Sequence, residues 1–109
     1  MDVRDGTLKY LPLSEATYYI MLVLAKPMHG YAIMQRVEEL SEGMVTLGPG
    51  TLYGALATLQ SQGLIAKAGQ ADRRKSYILT ALGMDVLLQQ VRRLEVMSRN
   101  GLTVINSWL

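Results

Sequence analysis

Few side chains in this sequence are suited to covalent or acid–base chemistry. There is one histidine, His29, and no cysteine, which removes thiolate nucleophiles, thiolate metal sites and disulfides. A hydrolytic triad around His29 would need a serine and an acid delivered by tertiary structure, and no local pattern announces them. Zinc needs several closely spaced ligands, which His29 with Glu38, Glu39 and Glu42 does not supply; that acidic cluster reads as a solvated face. His29 itself, beside Gly30 at a helix start, reads as a capping or packing residue. Gly48-Pro49-Gly50-Thr51 has the glycines of a phosphate loop but lacks the lysine before the hydroxyl residue, so a turn ahead of a helix describes it better. No enzymatic activity, metal or other cofactor is expected.

Binding chemistry is better represented. Thr51, Tyr53, Thr58 and Gln62 alternate with Leu52, Leu56 and Leu59, placing hydrogen-bonding groups on a helix of the kind that enters a DNA major groove. Residues 43–63 carry no charged side chain, so attraction to phosphate must come from elsewhere. The next segment supplies it, with Lys67, Arg73, Arg74 and Lys75 against Asp72. Alone, Arg73-Arg74-Lys75 fits any soluble loop. Following an uncharged polar helix, it suggests that one part positions the molecule on phosphate while another reads bases.

The elements that must hold these residues follow from caps and periodicity. Ser14 caps a first helix over Glu15–Ala25, which stops ahead of Pro27. A second helix carries Ile33, Val37 and Leu40 on its buried side and ends at Gly43. Thr51 caps or opens a third, running to about Gln62, with Gly63 as a left-handed C-terminal cap. Leu64–Ala68 and Ser76–Leu79 are predicted strands of a hairpin whose polar tip is Gly69 to Lys75. Thr80 caps a last helix from Ala81 onward, weakened locally by Gly83 and Gly101.

With 109 residues, half of them hydrophobic and 18% charged, the chain is predicted to be a soluble globular protein with a sizeable core. Its longest apolar run, Tyr18 to Ala25, is too short to cross a bilayer, and Asp2, Arg4 and Asp5 do not fit a signal peptide. A cytoplasmic protein without membrane attachment is expected.

Five stretches in order, Leu11-Pro12-Leu13-Ser14-Glu15, Met28-His29-Gly30-Tyr31-Ala32-Ile33, Gly50-Thr51-Leu52-Tyr53-Gly54-Ala55-Leu56, Gly63-Leu64-Ile65 and Arg74-Lys75-Ser76-Tyr77, resemble the PadR family of bacterial transcriptional regulators across nearly the whole chain. The resemblance implies a mainly α fold: a winged helix-turn-helix of three helices and a two-stranded β wing over residues 1–80, followed by a C-terminal dimerisation helix over 81–109. It implies a repressor that binds double-stranded DNA at a pseudo-palindromic operator as a homodimer. Tyr31 would lie close to the DNA backbone, Thr51 and Tyr53 at the front of the reading helix, whose polar face also carries Thr58, and Arg73, Arg74 and Lys75 on the wing. Ala57 and Thr58 depart from the lysine or arginine that many relatives carry there. Tyr53 has a second reading, as a ring packed on the first helix.

A long helix on a small domain cannot bury apolar residues on several faces by itself, and pairing with a second copy would remove them from water. Leu87, Val91, Leu94, Val104 and Ile105 are the residues expected at that contact. Trp108, the only tryptophan, could pack in the dimer contact or fray at the helix end. Similarity to drug-sensing members of the family implies a third role, lining a cavity for a flat hydrophobic or aromatic effector, with Met97 as a plastic neighbour. The rival to the DNA reading is a winged-helix protein-interaction module, because this fold also docks proteins.

Overall fold

The computed structural model describes residues 6–71 and 73–109. Asp72 of the predicted hairpin tip, and Asp2, Arg4 and Asp5, lie outside the described residues. A short 3-10 turn at Leu8–Tyr10 precedes α1 (Glu15–Val23), β1 (Met28–His29), α2 (Gly30–Leu40), α3 (Pro49–Ser61), β2 (Ile65–Ala71), β3 (Arg74–Leu79) and α4 (Ala81–Trp108). The fold is the mainly helical one expected, with three helices, a hairpin and a long last helix.

Local chemistry accounts for most boundaries. The Ser14 hydroxyl accepts from the Thr17 amide at 3.1 Å and opens α1, while Thr80 accepts from Gly83 at 3.0 Å and opens α4. Gly63, at φ +76°, closes α3 as expected, and the Leu64 amide then bonds back to Leu59 O at 3.0 Å. Helix α3 begins earlier than predicted, because Pro49 is tolerated at the first helical position, where its missing N–H costs nothing. Gly48 is therefore the cap and Thr51 sits within the first turn. In α2, Ile33 and Val37 are buried but Leu40 is 40% exposed, so its last turn stands clear of the core.

The hairpin is longer than its hydrophobic pattern suggests. Arg74 and Lys75, expected at the tip, belong to β3, and the ladder runs on to the Ala71–Arg74 pair, with an irregularity between Lys67 and Gly69. The sheet also has a third member. Strand β1 pairs antiparallel with β3, Met28 opposite Tyr77 and His29 opposite Ser76, giving the order β1-β3-β2. The Leu79 amide then donates to Leu24 O at 2.8 Å, fastening β3 to the end of α1.

Ile20, Met21, Leu24, Ile33, Leu52, Leu56, Leu64, Ile65 and Val86 form the centre of the core. The core extends into the first turns of α4, where Gly83, Val86, Leu87, Gln89 and Gln90 are buried. The Gln90 side-chain oxygen accepts from the Leu13 amide at 3.0 Å, tying α4 to the segment ahead of α1. From Glu95 onward α4 leaves the body of the molecule, and every residue of it is exposed.

Candidate nucleic-acid interface

The antiparallel pairing of β1 with β3 brings the start of α2 against the base of the wing. Between them lies a cleft of about 450 Å³ lined by His29, Gly30, Tyr31, Tyr53, Arg73, Arg74, Lys75 and Tyr77. Five of the seven residues predicted to meet DNA thus surround one concavity, although they come from two helices, a strand and a turn. Arg73, Arg74 and Lys75 are exposed, and none is in an ion pair with a described residue. No carboxylate lines the cleft among the described residues. Among the described residues its charge is therefore positive and available to an anion.

Gly30 shapes the cleft. A Cβ on this residue would come within 2.5 Å of the Tyr53 hydroxyl and 2.9 Å of its Cζ, so only glycine lets the Tyr53 ring lie over the start of α2. The Tyr53 ring thus lies against the start of α2 and remains 53% exposed. Tyr31, exposed in the first turn of α2, receives a hydrogen bond from the Gln35 side chain at 3.3 Å.

Thr51 and Thr58 are exposed but do not share this cleft. At about 100° of rotation per residue, both lie roughly 150° around α3 from Tyr53. Thr58 lines a separate depression with Tyr10, Ser14, Thr17 and Gln62. The outermost strip of α3, opposite Leu52, Leu56 and Leu59, is Gly50, Gly54, Ala57 and Ser61. Added Cβ atoms at Gly50 and Gly54 would meet nothing within 4 Å. Helix α3 thus offers a low ridge flanked by a tyrosine on one side and threonines on the other. Sequence reasoning passed over this strip, although glycines four residues apart on an amphipathic helix signal it.

On α4 the predicted contact residues divide. Leu87 is only 6% exposed and belongs to the chain's own core, so it is not available to a partner. Val91 and Leu94 are half-buried and line a groove beside Tyr18, while Val104 and Ile105 are exposed. Met97 lies in a groove with Leu8, Leu11, Arg93 and Val96. Trp108 is 86% exposed and about 16 Å farther along the helix, so one chain alone does not bring these two together. Among the described residues no cluster of three or more histidine, aspartate and glutamate side chains could hold a metal ion.

Comparison with known proteins agrees with this geometry. Residues 20–89, more than half of the chain, match the transcriptional regulator PadR-like family. Over 86 residues the chain is 34% identical to an uncharacterized 37.1 kDa protein in transposon TN4556 of Streptomyces fradiae, covering 78% of this chain and 24% of that protein. It is 32% identical over 68 residues to the transcriptional regulator YqjI of Escherichia coli (strain K12), covering 62% and 33% respectively. The chain therefore spans a quarter to a third of the length of these curated relatives. Among solved structures, a PadR family transcription regulator from Clostridium difficile R20291 superposes with a TM-score of 0.71 at 29% identity, covering 87% of this chain and 98% of that one. A PadR family regulator from Eggerthella lenta DSM 2243 gives 0.68 at 25% identity, covering 94% and 85%. The family comprises regulators of transcription, not enzymes, and the fold of these solved members is that of this molecule: the chain belongs to the PadR-like family of transcriptional regulators.

Proposed function

We propose that this protein is a DNA-binding transcriptional repressor that acts in the cytoplasm as a homodimer on a pseudo-palindromic operator and is released by a flat hydrophobic or aromatic effector. The observation that carries the DNA reading is the cationic cleft beside α3, whose basic side chains pair with no described residue. Arg73, Arg74 and Lys75 on the wing face Tyr31 and Tyr53 on the two helices, and the uncharged ridge of α3 adjoins them. Wing cations hold phosphate, while Thr51, Tyr53 and Thr58 on the flanks of the ridge meet base edges.

Homodimerisation is supported by α4. The side that packs against the core through Val86 and Leu87 continues outward as Val91, Leu94, Met97, Leu102, Ile105 and Trp108, with no described residue covering its far half. A second copy related by a two-fold axis covers this stripe and sets two reading helices toward half-sites about one helical turn apart. Repression and effector release rest on the resemblance to drug-sensing relatives, with Met97 and Trp108 from two copies as the lining. No helix among the described residues is long and apolar enough to cross a membrane.

The deciding experiment measures DNA affinity against salt for the wild type and the double variant Arg73→Ala, Arg74→Ala. Each lost phosphate contact should reduce the log–log slope by about 0.9. An unchanged slope would remove the wing from the account. Sedimentation of Ile105→Glu should give a monomer where the wild type gives a dimer. Titration of aromatic compounds against Trp108 fluorescence tests the effector site.

A further inference from the structure

His29 has no structural duty of the kind its position suggests. It occupies the N-cap position of α2, yet its side chain makes no capping hydrogen bond, and it is half-buried, outside the core. Instead it lines the cleft, where it is faced by Tyr31 from α2, Tyr53 from α3, Arg74, Lys75 and Tyr77 from β3, and Arg73 from the turn before β3. Strand pairing sets His29 opposite Ser76, and because paired side chains share a face of the sheet, Arg74, two residues before Ser76, lies on the same face as His29. No carboxylate among the described cleft residues offers a partner to an imidazolium.

We propose that His29 is a ligand for DNA phosphate, and that its imidazolium joins Arg73, Arg74 and Lys75 so that complex formation takes up one proton at this ring. The proposal rests on the DNA-binding reading above. Histidine is the side chain whose charge changes between about pH 5 and pH 8. Across that range the guanidinium and ammonium groups of arginine and lysine keep their charge and phenols stay neutral. A phosphate seated in the cleft is attracted to the charged ring and can accept a hydrogen bond from its N–H. By linkage, whatever favours the protonated ring in the complex makes affinity rise as pH falls. Because His29 is the only histidine, no other side chain of ordinary acidity obscures the effect. The α-amino group, near pH 8, is common to wild type and variant and cancels between them.

The test is fluorescence anisotropy of a rhodamine-labelled, mixed-sequence duplex about 30 base pairs long, titrated at several salt concentrations, since phosphate contacts are independent of sequence. Wild type and His29→Gln are compared at about pH 6 and about pH 8. Wild-type affinity should rise about three- to tenfold from the higher to the lower pH, within the limit that one proton per site sets. Its log–log salt slope should steepen by about 0.9 for each additional phosphate neutralised. His29→Gln should bind like the wild type at the higher pH and show neither change, while His29→Lys should keep its affinity at both. A wild-type affinity independent of pH overturns the proposal even if glutamine disturbs the β1 pairing, and so does a pH dependence that survives in His29→Gln. Absence of DNA binding by the wild type at low salt at both pH values would instead remove the DNA reading, and the role of His29 with it.

Discussion

Replacing Gly83 by alanine sets helix propensity against packing, and the two give opposite signs. Propensity favours the variant by at most about 1 kcal/mol, the usual difference between glycine and alanine in a helix. Packing opposes it, because an added Cβ would collide with the Leu64 carbonyl oxygen and lie 2.7 Å from Leu79 Cδ1. The leucine side chain can turn aside, but the carbonyl cannot. It is main chain, it accepts from the Thr80 amide at 3.1 Å, and the adjoining Gly63 carbonyl accepts from the Thr80 hydroxyl at 2.6 Å. Relief therefore requires α4 to back away from the start of β2, loosening the buried Val86 and Leu87. Overpacking of this kind costs about 1–3 kcal/mol, and weakening the Thr80 hydrogen bonds adds about 1 kcal/mol. After the gain in propensity, Gly83→Ala should destabilise the protein by about 1–3 kcal/mol. For a domain of this size that lowers Tm by roughly 4–15 °C. Calorimetry of both proteins at one concentration measures it, concentration being fixed because association shifts Tm. A Tm equal to or above that of the wild type would refute the steric argument.

Gly54→Ala should do the opposite: nothing lies within 4 Å of its added Cβ, so a gain of about 1 kcal/mol is expected, while Gly54→Glu should keep the fold by circular dichroism and abolish DNA binding. Arg73 has φ +66°, a conformation that costs a residue with a side chain about 1 kcal/mol; Arg73→Gly should raise Tm and weaken DNA binding together, and a lower Tm would contradict the strain. Burial, and secondarily the neighbouring Tyr19, raises the Tyr18 hydroxyl above its usual 10.0. The unfolded chain then loses this proton first, so stability is intact below about pH 10 and declines as pH rises further. Tyr18→Phe should flatten that alkaline decline of Tm, and an identical decline would show that Tyr18 does not contribute.

The sequence announced what short-range chemistry controls. Ser14, Gly63 and Thr80 act locally, through a hydroxyl or a left-handed turn within a few residues, and the structure has each where its chemistry puts it. The start of α3 was misplaced because Pro49 looks like a breaker until it is recognised as a first helical residue. Strand β1 escaped notice because two residues show no alternation, and its pairing with β3 depends on a tertiary approach. The same approach made the cleft partly invisible. Arg73, Arg74 and Lys75 stand out as a charge run, but His29 and Tyr77 enter it only through the register Met28–Tyr77, His29–Ser76. Leu87 and Ile105 have the same residue class and helical spacing, and only the point at which α4 leaves the domain separates a core side chain from an exposed one.

The splice made by β1 also limits how such a protein can be controlled. Because β3 is bonded on one edge to β2 and on the other to the residues just ahead of α2, the base of the prong and the start of α2 are held together as one block. In the proposed twofold assembly the adjustable quantity would then be the spacing and tilt of two such blocks, set by the contact between the protruding ends of α4. A signal received there would switch both jaws at once, leaving each jaw's own shape intact.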